Sequence, residues 1–217
     1  MKTVVFSLIA FIFFNSCIEF NRNRDTMDEK SGALQPDKKK QNFSVQPDSV
    51  LTQWINYYKE KKPDFSLAGF KWCSTDSLMM MPGHVLGNFD REFDTIYTDF
   101  LIFNPSKSLY LDFDSFNWSL DKNGTPSFAV DQEIDMVDVE GRTVNRIGFN
   151  GPSYWAEDAF WVDDSTIVLL QNNYEKRPEI IRFRLKDWKK DVFRYTDTLP
   201  FQTDYARFRI RQKKLIK

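Results

Sequence analysis

From Ser66 onward the chain is a succession of short runs rich in β-branched and aromatic residues, with turn residues between them. The runs "FNWSL" and "PSFAV" flank "DKNG" at 121–124, which is typical of the turn of a β-hairpin. Further pairs of runs flank Glu140-Gly141, Asp163-Asp164 and the segment "KDWKK" at 186–190. Successive hairpins at this spacing predict an antiparallel meander, and the lack of helical patterns between them disfavours a parallel sheet.

Aromatic residues make up 16% of the chain, and 21 of them are Phe. Since aromatic side chains suit half-buried pleated surfaces, this composition also favours β structure. The predicted fold class is mainly β, with the meander arranged as blade-like stacked sheets or as a sandwich. A small closed β-barrel is the alternative.

Two segments, "FNPSKSLYLDFD" and "AFWVDDSTIVLL", resemble strand pairs from β-propeller blades. A blade takes about 40–45 residues, so residues 66–196 provide about three blades. Closure of a propeller takes at least about four. The resemblance therefore implies an incomplete, blade-like stack rather than a whole propeller.

The segment "PDSVLTQWINYYKEKKP" is the one clear helix signal, and it predicts a helix over about 49–61. Its apolar residues Leu51, Trp54, Ile55 and Tyr58 recur at helical spacing. We expect this apolar stripe to pack on the sheet. Residues 47–217 are thus predicted to form a single β-rich domain with one N-terminal amphipathic helix.

The chain begins with Lys2 and an apolar run from Val4 to Phe14 that only Ser7 interrupts. Such a run is too short for a transmembrane helix, which takes about 20 apolar residues, but it suits the apolar part of an export signal. The run ends at Ser16 and Cys17. This pattern resembles bacterial lipoprotein signals of the kind found among Bacteroidetes, in which a small residue precedes a lipidated cysteine.

The resemblance implies a signal peptide at 1–16, a lipid on Cys17 and attachment to a membrane of the bacterial cell envelope. An ordinary secretion signal or an uncleaved anchor are the alternatives. Residues 17–46 are polar and of mixed charge, which predicts a disordered tether behind the lipidated cysteine. With Cys17 lipidated, Cys73 has no partner for a disulfide.

The sequence contains no pattern that predicts a metal site or a cofactor. His84 is the sole histidine of the chain, and no metal-ligand spacing accompanies it. The "DKNG" segment lacks an acid at the last position of a calcium loop, which Val130 would occupy. The net charge of −1 disfavours nucleic acid as a partner.

Carboxylate pairs are the candidates for catalysis, since glycoside hydrolysis uses two such groups. Asp112 and Asp114 alternate with apolar residues and are predicted to lie on one face of a strand. Glu133 with Asp135 and Glu157 with Asp158 are similar pairs. The same alternation is also typical of a half-solvated strand without catalytic function, and we favour that interpretation.

Basic residues alternate with apolar ones in "IRFRLK" and in "RFRIRQ". If both segments are strands and neighbours, one basic surface results. Its members would be Arg182, Arg184, Lys186, Arg207, Arg209 and Arg211. Charged strand edges that prevent aggregation are the alternative explanation.

Three functions follow from these features. The favoured one is a non-catalytic, membrane-anchored lipoprotein whose β-rich domain binds a protein or a glycan. The alternatives are an envelope glycan hydrolase that uses the pair Asp112 and Asp114, and a polyanion-binding protein that uses the basic surface.

Overall fold

The computed structural model of the protein describes residues 43–46 and 48–213, which form twelve β-strands and two α-helices. Helix α1 spans Ser49–Lys59 and helix α2 spans Tyr205–Gln212. The strands are β1 Phe70–Ser77, β2 Met81–Pro82, β3 Ile102–Phe103, β4 Leu109–Asp112, β5 Trp118–Leu120, β6 Pro126–Phe128, β7 Gln132–Asp138, β8 Thr143–Asn150, β9 Tyr154–Asp163, β10 Thr166–Asn173, β11 Glu179–Arg184 and β12 Lys189–Tyr195. The chain is therefore mainly β, and the prediction of the fold class is confirmed.

The strands form two five-stranded antiparallel sheets of the same arrangement, with the strand orders β1-β12-β11-β10-β9 and β2-β8-β7-β4-β3. In each sheet four strands follow one another as a meander, and an earlier strand, β1 or β2, pairs with the last of them. The hairpin of β5 and β6 is inserted between β4 and β7. Both sheets have open edges within the described part of the chain, so the alternative of a small closed barrel is wrong.

Strand β10 shows how the layers pack, because both of its faces are buried. Val168 and Leu170 belong to the core that contains the buried side chains of α1. Ile167 and Leu169 belong to a second core that the two sheets share. The first sheet therefore lies between α1 and the second sheet.

Helix α1 follows the predicted pattern. The Asp48 side chain accepts a hydrogen bond from the Val50 N–H at 2.7 Å and caps the first turn. The four residues of the apolar stripe are all buried. The helix is 11 residues long.

Among the described residues no helix is long and apolar enough to span a membrane.

The predicted hairpins are present, including the one at 121–124. There the Asp121 carboxylate accepts hydrogen bonds from the N–H groups of Asn123 and Thr125, each at 2.8 Å. Gly124 has a φ of +75°, a conformation that favours glycine. The side chain of Asp121 thus stabilises the turn by accepting hydrogen bonds from its backbone.

One predicted strand is wrong. The segment "RFRIRQ" lies in α2 rather than in a strand. In the helix Tyr205, Arg209 and Ile210 lie on one buried face, a grouping that an alternating strand cannot produce. Residues Thr95–Phe100 form a 3₁₀ helix, and the Asp94 side chain caps it by accepting a hydrogen bond from the Ile96 N–H at 3.0 Å.

The predicted signal peptide, Cys17 and the predicted tether up to residue 42 lie outside the described residues. Phe43, near the end of the predicted tether, is only 5% exposed. Its ring meets that of Phe193 edge-on, with centroids 5.1 Å apart. The folded body therefore includes residues from the end of the segment 17–46.

Candidate functional site

Asp112 and Asp114, the predicted catalytic pair, are both buried. Their carboxylates make structural contacts within the protein and do not face a cleft. Asp112 ends β4, and its Oδ1 accepts hydrogen bonds from the N–H groups of Asp114 at 2.9 Å and Ser115 at 3.0 Å. The Ser115 hydroxyl donates to the other carboxylate oxygen. Burial raises the pKa of Asp112 even though these hydrogen bonds oppose it. The carboxylate is thus committed to the turn after β4.

Asp114 belongs to a buried ionic cluster. Its Oδ1 accepts a hydrogen bond from the Trp118 indole N–H at 2.8 Å and pairs with the guanidinium of Arg209. Arg209 also lies 3.7 Å from the Asp158 carboxylate, and its guanidinium lies over the ring of Phe113. The cluster joins α2 to both sheets, so its role is structural.

The pair Glu133 and Asp135 lies on β7 and is buried as well. The Glu133 Oε1 is 2.7 Å from both Arg146 Nη1 and His84 Nδ1. Neither oxygen of Asp135 makes a hydrogen bond within the described part of the chain. Burial, together with the negative charges of Glu133 and Asp112, raises the pKa of Asp135 to about 7.

Glu157 is a fully buried carboxylate at the centre of a hydrogen-bond network. Its Oε2 accepts hydrogen bonds from the Trp54 indole at 2.7 Å and the Tyr58 hydroxyl at 2.6 Å. Its Oε1 accepts from the Thr203 hydroxyl at 2.7 Å and the Trp155 indole at 3.3 Å. Burial raises the pKa of Glu157 against these hydrogen bonds. The network fixes Trp155 and Thr203, which line a depression described below.

The predicted basic surface is not formed, because its members lie on different elements and most are engaged. Arg182 and Arg184 of β11 both pair with Asp191, at 2.8 Å and 3.1 Å. Lys186 lies in the turn that follows. The other three members are on α2, where Arg209 is buried, Arg211 is exposed and Arg207 lies 3.5 Å from Asp204. The prediction failed because "RFRIRQ" forms a helix.

Three adjoining depressions lie on the described surface, and we refer to them together as the groove. We call them the Trp155 depression, the middle depression and the His84 depression; their volumes are about 290, 310 and 340 Å³. The middle one shares lining residues with both neighbours, so the three lie side by side. The shared residues are Asn117, Phe128 and Ala129 on one side and Tyr97, Ser115 and Phe116 on the other.

The Trp155 depression combines aromatic and uncharged polar side chains. Tyr154 and Trp155 at the start of β9 and Phe128 of β6 provide aromatic surface. Asn117 and Thr203 provide an amide and a hydroxyl group. Trp155 is held by Glu157, so the aromatic surface is preorganised.

The middle depression is lined by hydroxyl and aromatic groups. Ser119 of β5 and Ser127 of β6 flank Trp118 there. None of its described lining residues carries a charge. The His84 depression differs, because His84, Glu92 and Asp94 line it together with aromatic residues.

The sequence did not reveal the groove. Its lining comes from the β5–β6 hairpin, the start of β9 and the segment before α2, which are distant in the chain. Tyr154 and Trp155 are adjacent aromatic residues at the start of β9, but the predicted run in this region, "DAFWV", begins only at Asp158. His84 was noted, but its partner Glu133 is 49 residues away in sequence.

Among residues 43–46 and 48–213 no group of three or more His, Cys, Asp or Glu side chains is placed to hold a metal ion. Comparison of the chain with protein-family models, with curated proteins and with solved structures finds no match.

Proposed function

We propose that the protein is a non-catalytic binding module of the bacterial cell envelope that holds a glycan chain in the groove. A lipid on Cys17 anchors it to the membrane. The observation that carries the proposal is the row of adjoining depressions, of which the Trp155 and middle depressions are lined by aromatic rings, hydroxyls and an amide. Its extended shape suits a linear ligand of several units.

The lining chemistry favours a glycan. Aromatic faces provide apolar contact area for the C–H faces of sugar rings, while amide and hydroxyl groups exchange hydrogen bonds with sugar hydroxyls. Tyr154 is 37% exposed at the mouth of the Trp155 depression. Its ring is therefore available for stacking without rearrangement.

The carboxylates support a binding role over hydrolysis. Hydrolysis of a glycosidic bond uses two carboxyl groups that flank it. Asp112 and Asp114 are buried; both oxygens of Asp112 accept hydrogen bonds, and Oδ1 of Asp114 is engaged by Trp118 and Arg209. The Trp155 depression has a single acid among its described lining residues, Asp204.

The ion pairs likewise disfavour a polyanion as the ligand. Arg182 and Arg184 are paired with Asp191, and Arg209 is paired with Asp114. Binding of a polyanion relies on cations that are free to neutralise its charges. A glycan without charged groups along most of its length fits the groove better.

The test is a calorimetric measurement of oligosaccharide binding by the full chain in detergent, across a panel of neutral hexasaccharides. We expect Tyr154→Ala to weaken the best ligand roughly tenfold, because a stacked aromatic ring contributes about 1–2 kcal/mol. Tyr174→Ala is the matched control, since Tyr174 is 77% exposed and does not line the groove. Equal binding by both variants, or no binding of any member of the panel, would refute the proposal.

A further inference from the structure

Charged side chains are concentrated at one end of the groove. In the Trp155 depression Asp204 is compensated by Arg207, at 3.5 Å. In the His84 depression Glu92 and Asp94 form no ion pair with any residue that the structure describes. The described lining of this depression therefore contains two carboxylates and no Lys or Arg side chain.

The imidazole of His84 is held in a defined orientation. Its Nδ1 lies 2.7 Å from the Oε1 of Glu133, and its backbone N–H donates to Oε2 at 3.1 Å. Burial acts to raise the pKa of Glu133, but hydrogen bonds from His84 and Arg146 outweigh it and hold the pKa below its ordinary value. An ionised carboxylate can only accept, so Nδ1 carries a proton, and in the neutral tautomer with that proton Nε2 is an acceptor.

This Nε2 is available to a ligand. The His84 side chain is 66% exposed, and Nε2 has no hydrogen-bond partner among residues 43–46 and 48–213. His84 also lines the depression. The ring thus presents a positioned acceptor on the same surface as the two unpaired acids.

Aromatic rings complete the lining of the depression. Phe93, Tyr97 and Phe116 all contribute to it, and Phe116 is 38% exposed. The faces of aromatic rings attract cations, and this attraction adds to that of nearby carboxylates. Acids, an imidazole acceptor and aromatic faces are together complementary to a group that is positively charged and donates several hydrogen bonds.

We propose that the His84 depression is a subsite for a primary ammonium group, so that the glycan of the groove carries at least one free amino sugar. The inference rests on the proposed function and deepens it by naming the class of sugar. His84 Nε2 and the carboxylates of Glu92 and Asp94 accept the ammonium hydrogens. Phe93 and Phe116 lie beside the charge.

The experiment compares two ligands that share one backbone, a β-1,4-linked glucosamine hexamer and its fully N-acetylated counterpart. Affinities for the full chain are measured by calorimetry at about pH 7 and low salt, above the ordinary pKa of a histidine. We expect the glucosamine hexamer to bind about fivefold more tightly, the factor that one or two exposed ion pairs provide. The double variant Glu92→Gln/Asp94→Asn should reduce this ratio to about one and leave binding of the N-acetylated hexamer unchanged.

Both substitutions are at exposed positions, and Asn at position 94 can still cap the 3₁₀ helix. Glu175→Gln, an exposed acid remote from the groove lining, is the control and should preserve the ratio. If both hexamers bind the original protein equally, the ammonium subsite is refuted and the glycan-binding proposal stands. If neither hexamer binds while a member of the neutral panel does, the ammonium subsite alone is refuted; if no oligosaccharide binds, both proposals are refuted. A preference that survives the double variant refutes the assignment to this depression.

Discussion

Asp135 is a carboxylate in an unfavourable setting. It is fully buried on β7, and neither of its oxygens has a partner within the described residues. Asp112 lies directly opposite on β4, and Glu133 is two positions away on the same strand. Burial and these two acids raise the pKa of Asp135 to about 7. Above this pH the folded protein must hold a desolvated negative charge.

We therefore expect Asp135→Asn to stabilise the protein in a pH-dependent way. The folded-state pKa is raised above the unfolded value, so the folded state binds more protons and stability falls as pH rises from about 4 to 7. Asn at this position removes that loss. The variant should match the original near pH 4 and exceed it by about 2–4 kcal/mol near pH 8.

Urea unfolding of both proteins at several pH values measures this difference. Glu140→Gln, in the exposed turn between β7 and β8, should shift stability by less than about 0.5 kcal/mol at every pH. A stability difference for Asp135→Asn that does not change between about pH 4 and pH 8 would contradict the assignment of the raised pKa.

Glu157 is a buried carboxylate whose oxygens, unlike those of Asp135, all have hydrogen-bond partners. Like Asp135 it is fully buried, but four side-chain donors surround it. Two of those donors, Trp54 and Tyr58, come from α1, and the other two, Trp155 and Thr203, line the groove. The carboxylate therefore links the packing of α1 to the shape of the Trp155 depression.

At the scale of elements, α2 depends on a single buried charge. Arg209 lies on its buried face between Asp114 and Asp158. Its guanidinium compensates two carboxylates that would otherwise be desolvated without a counterion. The docking of α2 and the turn after β4 are thus coupled.

We expect Arg209→Met to destabilise the protein by about 3–5 kcal/mol, because it leaves buried acids without a cation. Arg211→Met, on the exposed side of the same helix, should change stability by less than about 0.5 kcal/mol. Urea unfolding near pH 7 compares the two. Equal stabilities of the two variants would show that the cluster does not hold α2.

Elements whose partners are close in sequence were predictable. The hairpins could be predicted because the turn residues and the runs that flank them are neighbours in the sequence. Helix α1 could be predicted for the same reason, since its cap and its apolar stripe lie within one short segment. The helix α2 was missed because Phe208 and Ile210 alternate with arginines, which mimics a strand. Its decisive contact, Arg209 with Asp114, joins positions 95 residues apart. The groove was missed for the same reason, since its lining assembles only after folding.

At the scale of the whole molecule, the two sheets repeat one arrangement, and the apolar residues of β10 bind the layers together. The stacked-sheet prediction succeeded because strand patterning and turns specify a meander. The extent of the folded body was harder to predict. Phe43 lies in a polar segment, and one aromatic residue among polar neighbours gives no periodic signal.

The proposed anchor belongs to this scale as well. We expect Cys17→Ser to move the protein from the membrane fraction to the soluble fraction of its cells, because lipidation with two or more chains is needed for stable attachment. Immunoblotting of the fractions measures this. Ser16→Ala, which keeps a small residue before the cysteine, is the control and should stay with the membrane. Membrane retention of Cys17→Ser would refute lipidation at this position.

The pairing of β1 with β12 affects how the protein is made. Phe70 pairs with Tyr195, so the first sheet cannot close until almost the entire chain has left the ribosome. At about 5–20 residues per second, that wait is on the order of ten seconds. Pairings between such distant segments also form slowly. The first sheet of a newly synthesised chain therefore remains incomplete until synthesis is nearly finished, which would favour export through a secretion channel at the proposed envelope location.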